Sequence, residues 1–151
     1  MFLVVHVLLG TLIGLQYQSL LLVVIFSFVS HFLLDVLPHW DSVWDKNAFT
    51  KNFHMKFNTF STTLVVIDSL LAFYLIYVLQ GYFGSSLVIV GGLAAMAPDL
   101  VKLGFFTPLR KVKWYQKHLI WHARIQRETG VLFGLFTQVV TAGLLIWALF
   151  F

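Results

Sequence analysis

Long apolar stretches dominate this chain. Five of them cover residues 2–15, 19–37, 57–80, 82–106 and 130–151. A helix needs about 20 apolar residues to cross the roughly 30 Å hydrocarbon core of a bilayer, and four of the five are close to that length or exceed it. With 60% hydrophobic and 11% charged residues, the chain is predicted to be an all-α, polytopic membrane bundle of four to five transmembrane helices, forming one domain over residues 1–151.

The first segment is shorter than the others. Its 14 residues would cover about 21 Å as a helix, which is less than the hydrocarbon thickness. It is expected either to span a locally thinned bilayer or to stop partway. Polar residues at 16–19 and the Gln80-Gly81 pair predict tight turns between antiparallel helices.

The charged side chains are concentrated in two connections, which fall on one face of the bundle if the helices alternate in direction. They are Asp41, Asp45, Lys46, Lys51 and Lys56 in the first, and Lys102, Arg110, Lys111, Lys113, Lys117, Arg124, Arg127 and Glu128 in the second. The positive-inside rule predicts that this face and the N-terminus are cytoplasmic, in a multi-pass plasma (inner) membrane protein.

Residues 108–127 are too charged to span a membrane. Aromatic and apolar side chains alternate there with Lys and Arg, which is typical of a helix lying in the headgroup layer, and Pro108 suits its first turn. The net charge of +4 is therefore explained by contact with anionic membrane lipids, and nucleic acid is not a predicted partner.

Polar residues occur at helical spacing inside the apolar segments. Ser27, His31 and Asp35 lie four apart and share one helix face. Asp99 follows Pro98 at the same spacing from Gly91 and Ala95, and His6 begins a similar row with Gly10 and Gly14. The small residues are expected to form packing seams between helices.

These ionisable groups predict a pocket in the cytoplasmic half of the bundle. The chain has no cysteine, so a metal ion would bind through imidazole and carboxylate groups, which suit Zn, Mn or Fe. The predicted metal ligands are His6, His31, Asp35 and Asp99. For catalysis the candidates are Asp68, near mid-bilayer, His39 as a further histidine, and Lys102 to neutralise a phosphate.

Structural interpretations compete with these roles. Histidine and aspartate in a membrane can hold helices together by hydrogen bonds alone, and Asp99 can simply pair with Lys102. His118 and His122 are also four apart, but beside Trp114 and Trp121 they are interpreted as a face that contacts lipid headgroups.

The run S30-HFLLD-35, followed by Pro38 and a polar turn, resembles the YdjM-like family of membrane-bound metal-dependent hydrolases. That family also has a histidine in its first apolar segment and a Pro-Asp pair at a helix end, similar to V5-HVLLG-10 and A97-PDL-100. Here the Pro-Asp pair comes after the H-x3-D helix rather than before it, and the family's His-Arg-Gly element is absent. The spacing H31-x3-D35-x2-P38-H39 is more loosely similar to zinc-dependent phospholipase C.

The pattern therefore favours a metal-dependent hydrolase that acts on a lipid or lipid-linked phosphate from the cytoplasmic leaflet. The alternative is a non-enzymatic lipid-binding or assembly subunit, or a small transporter component with an intramembrane His/Asp relay. A chain of 151 residues leaves little room for a translocation path in one copy, so a transporter would require a homo-oligomer.

Overall fold

A computed structural model describes residues 1–41, 46–53 and 59–151, and the side chains of residues 46–48 are outside the description. The expectations for Asp45, Lys56 and the start of the third apolar segment at residue 57 lie outside the described residues. Within them the chain is all-helical, as predicted. The α-helices are α1 (Leu3–Gln16), α2 (Leu20–Val36), α3 (Lys46–Asn52), α4 (Thr59–Phe83), α5 (Ser86–Leu100), α6 (Lys113–Ile125) and α7 (Val131–Phe150).

Three helices are long and apolar enough to cross a membrane. They are Thr59–Phe83, Ser86–Phe106 and Val131–Phe150, the second counted with the 3₁₀ turn that extends α5. The helices α1 and α2 are apolar but shorter. A membrane location is thus supported, while the count of four to five spans stays a prediction.

Two predicted boundaries are wrong. The turn expected at Gln80-Gly81 lies later, because α4 continues to Phe83 and the chain reverses at Gly84. Gly84 has φ of 68°, a left-handed conformation that glycine adopts without steric cost. The helix predicted over 108–127 is divided into a 3₁₀ turn, Pro108–Lys111, and α6, with Thr107 capping the turn through Leu109 N–H.

Helix α1 lies at the centre of the bundle. It contacts α2, α4, α5 and α7, and eight of its 14 residues are buried. By contrast, only three of the 20 residues of α7 are buried, although its side chains are mostly apolar. The outer helices therefore leave apolar side chains exposed, whereas α1 is surrounded largely by protein.

Side chains from two neighbouring helices cap the start of α1. The Asp68 carboxylate on α4 accepts hydrogen bonds from Leu3 N–H at 2.7 Å and Val4 N–H at 3.3 Å. Gln138 on α7 accepts one from Phe2 N–H at 2.8 Å. Asp68 is the tenth residue of α4, so α1 begins about 14 Å along that helix.

Glycines permit the close approach of α1 and α5. A Cβ atom at Gly10 would overlap the carbonyl oxygen of Gly91, and one at Gly91 would overlap the carbonyl oxygen of Gly10. Gly14 meets the backbone of Leu87 in the same way. The predicted packing seam is confirmed, and its consequence is that the faces bearing His6 and Asp99 are held near each other.

The end of α6 is joined to the end of α2 by backbone hydrogen bonds. Arg127 N–H donates to the Asp35 carbonyl oxygen at 3.0 Å, and His39 N–H donates to the Arg127 carbonyl oxygen at 3.0 Å. Thr129 N–H then donates to the His39 carbonyl oxygen at 2.9 Å. These contacts bring the last turn of α6 against the last turn of α2.

We expect Gly10→Ala to lower the stability of the bundle by about 1–3 kcal/mol, because the added methyl group must push α1 and α5 apart. Gly81→Ala is the matched control: it also lies in a helix, but a Cβ atom there meets nothing within 4 Å. It should be neutral or slightly stabilising. Thermal unfolding in detergent measures both, and equal unfolding temperatures for the two variants would contradict the close crossing.

Candidate metal centre

Helix α2 supplies the first two side chains of the site, as predicted. His31 and Asp35 are fully buried on one face, with His31 Nε2 3.3 Å from Asp35 Oδ2. His31 Nδ1 lies 2.8 Å from the carbonyl oxygen of Ala95 on α5. Since a carbonyl only accepts, Nδ1 carries the proton and Nε2 presents its lone pair to the site.

Helix α5 supplies Asp99. Its Oδ1 lies 3.7 Å from His31 Nε2 and 2.5 Å from Lys102 Nζ. Asp99 therefore pairs with Lys102, as the structural interpretation expected, and also faces His31. This ion pair holds the Lys102 ammonium beside the site. The role of Asp99 as a metal ligand stays a prediction.

Helix α6 supplies a residue that the sequence interpretation placed elsewhere. His122 was assigned to a lipid-contact face, which is wrong: it is fully buried, and its Nε2 lies 3.0 Å from Asp35 Oδ2 and 3.1 Å from His31 Nε2. Burial lowers the pKa of His122, against the opposing effect of its hydrogen bond to Asp35. A neutral imidazole is the form that binds a metal.

The spacing of buried residues along α6 explains the position of His122. Tyr115, Leu119, His122 and Gln126 are all buried and follow the 4-3-4 spacing of one helix face. Gln126 Nε2 donates to Asp35 Oδ2 at 3.1 Å. This spacing could have identified the buried face of α6 from the sequence. It was missed because basic and aromatic residues alternate along the helix, so the sequence does not show which face is turned inward.

Four side chains from three helices form a group that could hold a metal ion: His31, Asp35, Asp99 and His122. One ligand atom from each lies within 4.8 Å of all the others, and the closest pairs are 3.0–3.3 Å apart. Bonds of about 2.0–2.2 Å to a first-row ion place neighbouring ligand atoms about 3–3.5 Å apart. Small movements of these side chains would therefore give a coordination sphere with two nitrogens and two oxygens.

His6, the fourth predicted ligand, lies beside this group rather than in it. It is fully buried, its ring stacks on His31 with centroids 4.0 Å apart, and its Nε2 lies 3.4 Å from Asp35 Oδ1. The terminal amine of Met1 is 3.1 Å from the same oxygen. Asp35 thus meets different partners at its two carboxylate oxygens.

The other predicted catalytic residues are not in the four-residue group. Asp68 caps α1 instead, because α4 carries it to the start of that helix, so its predicted place in the pocket is wrong. His39 is fully buried in the segment after α2, with Nδ1 donating to the Leu37 carbonyl oxygen at 2.8 Å. Burial lowers the pKa of His39.

Comparisons with protein-family models, curated proteins and solved structures give no match to this chain. The resemblance to YdjM-like hydrolases accordingly stays a prediction from short motifs. The residues of the site carry the functional argument.

We expect His122→Ala to lower the affinity of the purified protein for Zn²⁺ or Mn²⁺ at least about 10- to 100-fold. Loss of a residue that only hydrogen-bonds to a metal ligand already has an effect of that size, and loss of the ligand itself should have at least as large an effect. Elemental analysis after equilibrium dialysis measures it. The control Asp68→Ala should lower the unfolding temperature, because two N–H groups of α1 lose their acceptor, but should retain the metal. Loss of metal in the Asp68 variant alone would contradict the assignment.

Proposed function

We propose that this protein is an integral membrane hydrolase that uses a divalent metal ion and acts on a lipid or lipid-linked phosphate from the cytoplasmic leaflet. The observation that carries the proposal is the convergence of His31, Asp35, Asp99 and His122 in the interior of the bundle. Ionisable groups inside a membrane protein are costly to bury and usually serve function. Two imidazoles and two carboxylates are also a donor set suited to Zn, Mn or Fe.

The group leaves room for catalysis as well as binding. Four protein ligands do not fill the coordination sphere of a five- or six-coordinate ion, and a bound divalent ion would polarise a phosphoryl oxygen and activate a water molecule. Lys102, held beside the group by Asp99, supplies positive charge for a substrate phosphate. His39 remains our candidate general base, because its Nε2 is buried without a hydrogen-bond partner among the described residues.

The surface around the site favours a substrate that arrives from the bilayer. Helix α2, which carries His31 and Asp35, exposes the apolar side chains of Val29, Leu33 and Val36. On α6, the side chains of Trp114 and Trp121 are exposed beside Lys113, Lys117 and Arg124, in keeping with a helix in the headgroup layer. These apolar, tryptophan and basic side chains suit a substrate whose phosphate lies next to the membrane core.

The membrane topology in this proposal follows from the charges. Helices α1 and α2 cross together with the three longer ones, giving five spans, and the charged connections face the cytoplasm of a plasma (inner) membrane. The metal centre then lies at the cytoplasmic end of α2. Since α1 begins about 14 Å along α4, the centre is recessed in the bundle, beneath the layer that contains α6.

A specific observation favours the non-enzymatic alternative. Asp35 already accepts hydrogen bonds from Gln126 and from the amine of Met1, so its contacts alone join separate parts of the chain. An assembly subunit, or a transporter component in a homo-oligomer with a His/Asp relay, would use the same residues without hydrolysis. Turnover distinguishes this alternative from the proposed enzyme.

The deciding experiment measures release of inorganic phosphate from phosphatidic acid and lipid diphosphates in mixed micelles with Mn²⁺ or Zn²⁺. We expect turnover by the wild-type protein, and a decrease in kcat/KM of about 100-fold for Lys102→Met, because the positive charge beside the reacting phosphate is lost. Lys117→Met, which removes an exposed charge from α6, is the matched control. A folded, metal-loaded wild type that releases no phosphate would favour the non-enzymatic role.

A further inference from the structure

His6 is a buried imidazole without an evident structural role. Its side chain is fully buried. Its Nδ1 has no hydrogen-bond partner in the described part of the chain, and its Nε2 approaches only Asp35 Oδ1, at 3.4 Å. A buried polar group left in this state costs about 1–3 kcal/mol, and native structures rarely retain one without a reason. The surroundings of His6 indicate what that reason is.

His6 faces the side of Asp35 that the four-residue group does not use. That group approaches Oδ2, at 3.3 Å from His31 and 3.0 Å from His122. His6 Nε2 instead lies 3.4 Å from Oδ1. The carboxylate therefore presents Oδ2 to His31 and His122, and Oδ1 to His6.

The stacking of His6 on His31 sets the spacing of the two positions. Their ring centroids are 4.0 Å apart and their planes are inclined by only 20°. An imidazole binds a metal in the plane of its ring, so two nearly parallel rings hold their ions about as far apart as the rings themselves. Paired metal ions in hydrolytic centres are about 3.5–4 Å apart.

We propose that Asp35 bridges two divalent ions. The first is held by His31, Asp99, His122 and Asp35 Oδ2, and the second by His6 Nε2 and Asp35 Oδ1. This inference rests on the proposed function and extends it from one ion to a two-ion centre. The amine of Met1, 3.1 Å from Oδ1, competes with the second ion and must leave that oxygen when the ion binds.

The charge of the site indicates when the second ion binds. The carboxylates of Asp35 and Asp99 contribute −2, and the Lys102 ammonium and the Met1 amine contribute +2. One divalent ion therefore brings the sum to +2, and a second ion that displaces the amine brings it to +3. Such an excess in a buried site is unfavourable unless an anion enters with the metal. A phosphate dianion meets this need, which makes phosphate monoesters and diphosphates the substrate class.

The test is a titration of purified protein with Mn²⁺, with and without inorganic phosphate, read by bound Mn per chain and by electron paramagnetic resonance. We expect about two Mn per wild-type chain in phosphate, with the signal of an exchange-coupled pair. His6→Ala should bind one Mn with an uncoupled signal. Thr11→Val is the matched control, because it removes another buried, unpartnered polar atom from α1, and it should behave as wild type.

Each other result has a definite meaning. One uncoupled Mn per wild-type chain in phosphate, lost in His122→Ala, would overturn the second ion but leave the single metal centre intact. Two Mn retained by His6→Ala would also overturn it. A folded wild-type protein that binds no Mn would contradict the proposed function as well as the second ion. If His6→Ala does not fold, the presence or absence of exchange coupling in the wild-type spectrum decides whether a second ion binds. His6→Gln then provides the second variant.

Discussion

The Asp35 carboxylate is buried where α2, the end of α6 and the start of the chain meet. A charged group in an apolar interior is tolerated only where nearby groups compensate it. Here the compensation comes from α2 itself through His31, from α6 through His122 and Gln126, and from the start of the chain. The same contacts that make the charge tolerable also bring together the donor atoms of the proposed metal centre.

The scaffold around Asp35 is built to keep these contacts in place. The close crossing of Gly10 and Gly91 positions α1 against α5. His6 on α1 then stacks on the face of the His31 ring, while the Ala95 carbonyl on α5 meets its Nδ1 edge. The pairing of Arg127 with Asp35 and His39 closes α6 over the site. Packing by small residues and backbone pairing by the loops thus position groups that no single helix could bring together.

Much of this arrangement was predictable from the sequence where the relevant partners lie on one helix. The four-residue spacing of His31 and Asp35 predicts a shared face, and the glycine rows predict packing seams, because helical geometry alone decides both. Asp99 was predictable because a carboxylate beside Pro98 at a helix end is unusual within an apolar segment.

The errors concern contacts between distant segments. Asp68 was assigned to the pocket because its depth along α4 suggested it, but its role depends on where the first turn of α1 meets that helix. His122 was assigned to the lipid surface because its neighbours are basic and aromatic, whereas its orientation depends on which face of α6 packs on α2 and α3. Local sequence carries little information about either meeting point, and no related protein supplied it.

A metal centre at Asp35 can be tested by X-ray absorption spectroscopy of the purified protein loaded with one equivalent of Zn²⁺. We expect nitrogen and oxygen atoms as the nearest neighbours of zinc, with the outer-shell scattering of two imidazoles, reduced to one imidazole in His122→Gln. A zinc ion surrounded only by oxygen atoms, without imidazole scattering in either protein, would contradict a metal centre at Asp35.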